Sequence, residues 1–198
     1  SKIGIQLGHS GRKGSVNVPS VGNNIPLVKH GWDLISASPI PFNEAMAIPK
    51  EMSVSDMDNI ISEFVNATIF AEEAGFDMIE LQAHHGFLLA SFLSPLTNIR
   101  KDEFGGSIQN RIKFPLQVFQ AMREVFPENK PMSVRISASD WAENGISEQE
   151  VLFICEAFKN AGADIINVST GNTVDNQQPQ IGRMWQTPFS DMIRNTIH

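Results

Sequence analysis

The sequence predicts an α/β fold in which parallel strands alternate with amphipathic helices. Three observations carry that expectation. Apolar runs at 76–82, 131–137 and 163–169 each follow a longer stripe at helical spacing. Two of the stripes open on a capping-box pattern and close on glycine. Two helix-to-strand junctions also read alike. Ala74-Gly75-Phe76-Asp77-Met78-Ile79 has the same form as Ala161-Gly162-Ala163-Asp164-Ile165-Ile166, 87 residues on, which leaves room for two helix–strand units.

The elements follow in order. Residues 1–7 read as a buried strand. Residues 8–52 are irregular, rich in Pro, Gly, Ser and Asn, with an apolar island at Trp32-Asp33-Leu34-Ile35. A loop of that length in a compact domain usually serves function. Ser53, with Asp56 three later, starts a helix carrying Met57, Ile60, Ile61, Phe64, Ala67, Thr68 and Ala71 on one stripe, and Gly75 ends it. After the 76–82 strand, a helix is expected from about Gln109 to Val125, with Pro115 in its first turns or dividing it. Ser147 and Glu150 open the next helix, with Val151, Ile154, Phe158 and Ala161 inward and Gly162 at its end. The 163–169 strand follows. Residues 189–198 read as a helix start without a stop signal. With a strand at one end and an open helix at the other, the chain reads as a piece of a longer one.

The four strands fit either an eight-stranded barrel, which needs ~250 residues, or an open doubly wound sheet. Composition narrows function. Lys plus Arg number 15 against 22 Asp plus Glu, a net charge of −7, which argues against nucleic acid or an anionic membrane as partner. No apolar run approaches the roughly 20 residues of a membrane span. The single Cys155 allows no internal disulfide and is expected in the core. A reducing, cytoplasmic setting follows as the default.

Sites in parallel α/β folds gather at the C-terminal ends of strands. There stand Gln6, His9 and Arg12; Gln82, His84 and His85; Arg135; and Asn167, Ser169 and Thr170. Arg135 inside an apolar strand implies either an ion pair or an electron-rich ligand edge. The Gln6 amide, donor and acceptor at once, suits a loop backbone or an imide-like heterocycle. Gln82 and His85, three apart, fit polarising a carbonyl better than binding a metal, because no nearby Asp or Glu completes a ligand set. No metal is expected. Asp102 and Glu103 read as loop or cap groups. Neither GxGxxG nor GxxxxGK[ST] is present.

Several segments resemble the old yellow enzyme family of flavin oxidoreductases. Gln6-Leu7-Gly8-His9-Ser10-Gly11-Arg12 resembles that family's third-strand motif, and 79–88, with Gln82-Ala83-His84-His85-Gly86-Phe87, its fourth-strand active-site motif. Residues 92–107, then Asn110-Arg111 and Phe114, resemble its longest signature, and Val134-Arg135-Ile136-Ser137 its fifth strand. Residues 36–39 and 183–189 look most like the oxidoreductase part of salicylyl-CoA 5-hydroxylase-type proteins, a monooxygenase-associated subgroup. The resemblance implies a partial (β/α)8 TIM barrel, residues 1–198 forming the third to sixth strands and their helices in one FMN-binding domain. It implies FMN as cofactor and NAD(P)H as reductant, with hydride passed through the flavin to an unsaturated carbonyl or aryl-CoA-like small molecule. Gln6 and Arg135 would hold the flavin. Gln82 and His85 would be catalytic, binding the acceptor's oxygen, with Ala83, His84 and Phe87 beside them at the substrate.

The chain departs from the family pattern in two places. Gln82 stands where the first donor is usually His, with His84 as an extra histidine. Phe87 stands where the usual proton-donating Tyr falls, and a phenyl ring has no proton to give. Two other functions remain open: an inactive barrel scaffold, and a phosphate-binding barrel lyase that would want a Schiff-base lysine on a strand. Exposed sheet edges would favour self-association into a homo-oligomer.

Overall fold

The computed structural model describes residues 1–197 other than Pro19 and Asn23. His198, the end of the closing helical segment, lies outside the described residues. In chain order the elements are β1 (Gly4–Leu7), a 3-10 turn (Gly11–Lys13), β2 (Ile35–Ser36), β3 (Lys50–Glu51), α1 (Val54–Glu73), β4 (Met78–Ala83), α2 (Leu88–Leu93), α3 (Ile108–Arg111), α4 (Lys113–Val125), β5 (Met132–Ser137), α5 (Glu148–Asn160), β6 (Ile165–Ser169) and α6 (Thr187–Thr196).

Both capping boxes form. Ser53 accepts from the Asp56 amide while Asp56 accepts from the Ser53 amide, and Ser147 and Glu150 repeat the exchange. Gly75 and Gly162 take φ of +86° and +96°, the left-handed turn that ends each helix at least cost without a side chain. The repeated junction has a physical reason. In each copy the aspartate bridges to the start of the neighbouring strand: Asp77 accepts from the Ile3 amide at 2.9 Å, and Asp164 from the Met132 amide at 2.8 Å. Each aspartate amide also donates back, Asp77 to the Ile3 carbonyl and Asp164 to that of Met132. Pro115 lies in the first turn of α4, and the expected single helix divides just ahead of it, at Ile112.

The main sheet runs β1-β4-β5-β6, every pair parallel. Its order follows the chain without reversal, and only one face is covered. Ile79, Leu81, Ala83, Val134 and Ile136 share a core with Met57, Ile60 and Phe64 of α1, Val118, Phe119 and Met122 of α4, and Val151, Ile154 and Phe158 of α5. Cys155 is buried among them, as expected. A doubly wound sheet reverses its order and is covered on both faces. These strands are instead neighbouring staves of a barrel wall, helices outside and polar residues inside. Residues 35–52 of the long irregular stretch are more ordered than their composition implies: β2 and β3 pair in parallel, and Arg100 donates to the Ala37 and Met52 carbonyls.

Candidate active site

Alternation along four strands places one set of polar residues on the uncovered face. Register pairs Gln6 with Glu80, Gln82 with Arg135, and Arg135 with Asn167, and residues in register on parallel neighbours project to the same side. Gln6 and Arg135 therefore share one face, with β4 between them. Gln82 bridges from β4 to β1, its amide donating to the Gln6 oxygen at 3.2 Å. Gly8 makes this approach fit, because a Cβ there would stand 2.3 Å from the Gln82 oxygen.

Glu80 is the residue that sequence reasoning missed. Its carboxylate accepts from Gln6 Nε2 at 2.7 Å, Ser133 Oγ at 2.9 Å and Asn167 Nδ2 at 2.8 Å, tying all four strands on the open face. Arg135, by contrast, has no hydrogen-bonded partner among the described residues, and its Nε is buried. A half-buried guanidinium with free donors on an uncovered face is what an electron-rich ligand edge would satisfy.

Beyond β4 the chain turns sharply, with φ of +55° at His85 and +69° at Gly86. The turn carries His85 toward β6: its amide donates to Ser137 Oγ, and its Nε2 lies 2.7 Å from Ser169 Oγ. Gln82 and His85 thus sit at one mouth but bond to opposite neighbours, β1 and β6. His84 is only 4% exposed, both ring nitrogens lack partners, and its ring meets those of His85 and Phe87 edge-on. Burial first, then the charges of Arg135 and Lys13, pushes His85 down to about 4. Burial, with His85 and the same cations, pushes His84 to about 3. Both rings are neutral at pH 7.

Ala83 was expected beside a substrate, and the structure corrects this. It is fully buried on the helix-covered face, because it alternates with Gln82, so its side chain cannot meet a ligand on the open one. Phe87 is half-buried at the start of α2. Among the described residues no cluster of three His, Cys, Asp or Glu could hold a metal. The four main strands carry no lysine; Lys13, on the turn after β1, approaches the mouth.

The sequence profile of the NADH:flavin oxidoreductase / NADH oxidase family matches residues 1–195. The chain belongs to that family. An NADPH dehydrogenase from Geobacillus sp. (strain WCH70) is 40% identical over 194 residues, 98% of this chain and 52% of that protein. The chain spans about half the length of the curated relatives it matches. Among solved structures, histamine dehydrogenase from Rhizobium sp. 4-9 superposes with a TM-score of 0.73 at 29% identity, over 87% of this chain and 24% of that one. Morphinone reductase, at TM-score 0.71 and 21% identity, covers 98% of this chain and 54% of its own; at that distance it speaks for the fold, a partial barrel.

The family is one of FMN-dependent oxidoreductases with NAD(P)H as reductant. The residues present fit such a cofactor: the Gln6 amide lies exposed on the open face, and the Arg135 guanidinium, on the same face across β4, is unpartnered. Residues 92–107 and Asn110-Arg111, the segments that resemble the family's longest signature, act as tethers. Asn98 donates to the Phe92 and Phe104 carbonyls. Arg111 donates to those of Leu93 and Gly106 and pairs with Glu150 at 2.6 Å. Arg12 is likewise structural, fully buried and bonded to the Ile40, Pro41 and Thr173 carbonyls. No helix among the described residues is long and apolar enough to cross a membrane.

Proposed function

We propose that the complete protein is an FMN-dependent NAD(P)H oxidoreductase that reduces an unsaturated carbonyl or aryl-CoA-like small molecule. One observation carries this reading: Gln6 and Arg135 share the open face across β4, and Arg135 has donors to spare. Bound FMN supplies a two-electron relay, accepting hydride from NAD(P)H and delivering it to the acceptor.

The chain's residues divide the remaining work. Arg135 offers fixed positive charge to the ring edge that becomes electron-rich on reduction. Gln6 offers donor and acceptor together to the imide-like edge, held in place by Glu80 and Gln82. Gln82 and His85 flank the place for the acceptor's oxygen. Because both are neutral at pH 7, they polarise it by hydrogen bonds alone.

The test is the full-length protein, purified with its flavin. It should be yellow, and NAD(P)H should bleach it. Arg135→Met should weaken flavin retention at least about tenfold, as the loss of a charge-assisted bond of about 1.5–3 kcal/mol requires. A colourless wild type, or a variant that holds flavin as tightly, removes the reading.

A further inference from the structure

We infer that Lys13 is the acid of this site, giving the acceptor's carbon the proton that Phe87 cannot supply. The inference rests on the proposed reductase function and deepens it. Lys13 ends the 3-10 turn that follows β1. Its ammonium donates to the carbonyl of His85 and to that of Asn172, both at 3.0 Å. It lies 4.1 Å from the centroid of the Phe42 ring and 5.3 Å from that of Phe87. Two carbonyls and two aromatic rings thus fix the nitrogen, and with three donors and two acceptors one N–H is left over. That nitrogen is hydrogen-bonded to the carbonyl of His85, the residue proposed to hold the acceptor's oxygen. It also borders the ring standing where a tyrosine hydroxyl is usual in the resembling family.

The other groups at the mouth cannot do this work. His84 and His85 carry no spare proton at pH 7. Arg12 holds its protons and spends them on three carbonyls. The charged and titratable groups facing Lys13 are Arg12 on its own turn, Asp175 from the β6–α6 connection, and His84 and His85 after β4. Burial first, then Arg12, lowers Lys13 to about 8, with Asp175 opposing. At neutral pH it keeps its proton yet can release it.

The step balances. Hydride adds to the β-carbon, and its electron pair comes from NAD(P)H. The enolate pair thus formed takes a proton from Lys13 Nζ: a C–H bond forms at the α-carbon as an N–H bond breaks. The neutral amine then recovers its proton from water.

The test uses full-length flavin-loaded protein and two variants. Lys13→Arg keeps charge and tethers but cannot release a proton, and Lys13→Met removes all three. The reduced protein is reoxidised in parallel by cyclohexenone, which needs a proton at carbon, and by oxygen, which does not. In both variants the enone-to-oxygen rate ratio should fall about a hundredfold, and adding Phe87→Tyr to Lys13→Arg should recover at least about tenfold. In the wild type, NMR of isotopically methylated lysines should show Lys13 titrating near 8 rather than above 10. If Lys13→Arg keeps the ratio within about threefold, Lys13 is a tether and the inference falls. An equal fall in both rates, or a titration above 10, also overturns it. A wild type without flavin sinks the parent reading first, before any variant is made.

Discussion

At Glu80 one carboxylate takes hydrogen bonds from residues 74, 53 and 87 positions away in sequence. Hydrogen bonds to an ionised acceptor are shorter and stronger than neutral ones, so this group fixes the rotamers of its donors. Gln6 is the donor that matters, because it is exposed, and with Nε2 on Glu80 and Oε1 accepting from Gln82 its amide keeps one N–H and one lone pair for the proposed flavin. Glu80→Ala should therefore act through Gln6: in the full-length protein flavin affinity drops about tenfold, the size of one lost charge-assisted bond. Fluorescence titration of the apoprotein with FMN measures this, with circular dichroism to show the fold intact. Unchanged affinity would make Glu80 a strut between strands and no more. Gln6, Gln82, His85 and Arg135 could be picked out as candidates from the sequence, the first three as polar groups at or just past the end of an apolar run and Arg135 as a charge inside one. Glu80 could not, because its three partners come from three other strands and no local pattern announces them.

The elements that the sequence reveals are those whose determinants are local. Ser53 with Asp56 and Ser147 with Glu150 are complete signals within four residues, and both form as read. The helix α2 gives no such signal. All six of its residues are buried, so its sequence has no polar face and no 3.6-residue period. The two-residue strands β2 and β3 are likewise invisible, because they exist only through each other. Local legibility also sets energies. Removing the cap in Ser147→Ala should cost about 1 kcal/mol. Phe119→Ala, which empties a site packed edge-on against Phe158 at 5.5 Å, should cost about 3–5 kcal/mol. Urea denaturation of the two variants should keep that order, and a cap variant as damaging as the core variant would contradict the packing described.

Over the whole molecule, the helix-covered face holds the core and the open face holds the candidate site, and His84 stands directly after β4, where the two meet at the sheet's end. It is buried, neutral and unpartnered, which stable folds seldom tolerate outside a site. Its consequence is a pH dependence of a definite sign. In the unfolded chain His84 takes a proton below 6.5; in the folded one it resists until about 3. The unfolded state thus binds more protons between those values, and stability falls as pH falls through that window, being fully present above 6.5. His85 adds to the effect between 6.5 and about 4. Each histidine contributes a slope of at most about 1.4 kcal/mol per pH unit. The lowered carboxylates, Asp56 at about 2 among them, act only below their ordinary range near 4, so mildly acid conditions isolate the histidines. Urea midpoints of this chain should therefore drop between about pH 7.5 and about pH 5, and His84→Leu should flatten the slope by one proton's worth. If the slopes coincide, His84 is charged or solvated in the fold, and the burial that separates the two faces at this residue is not what the structure describes.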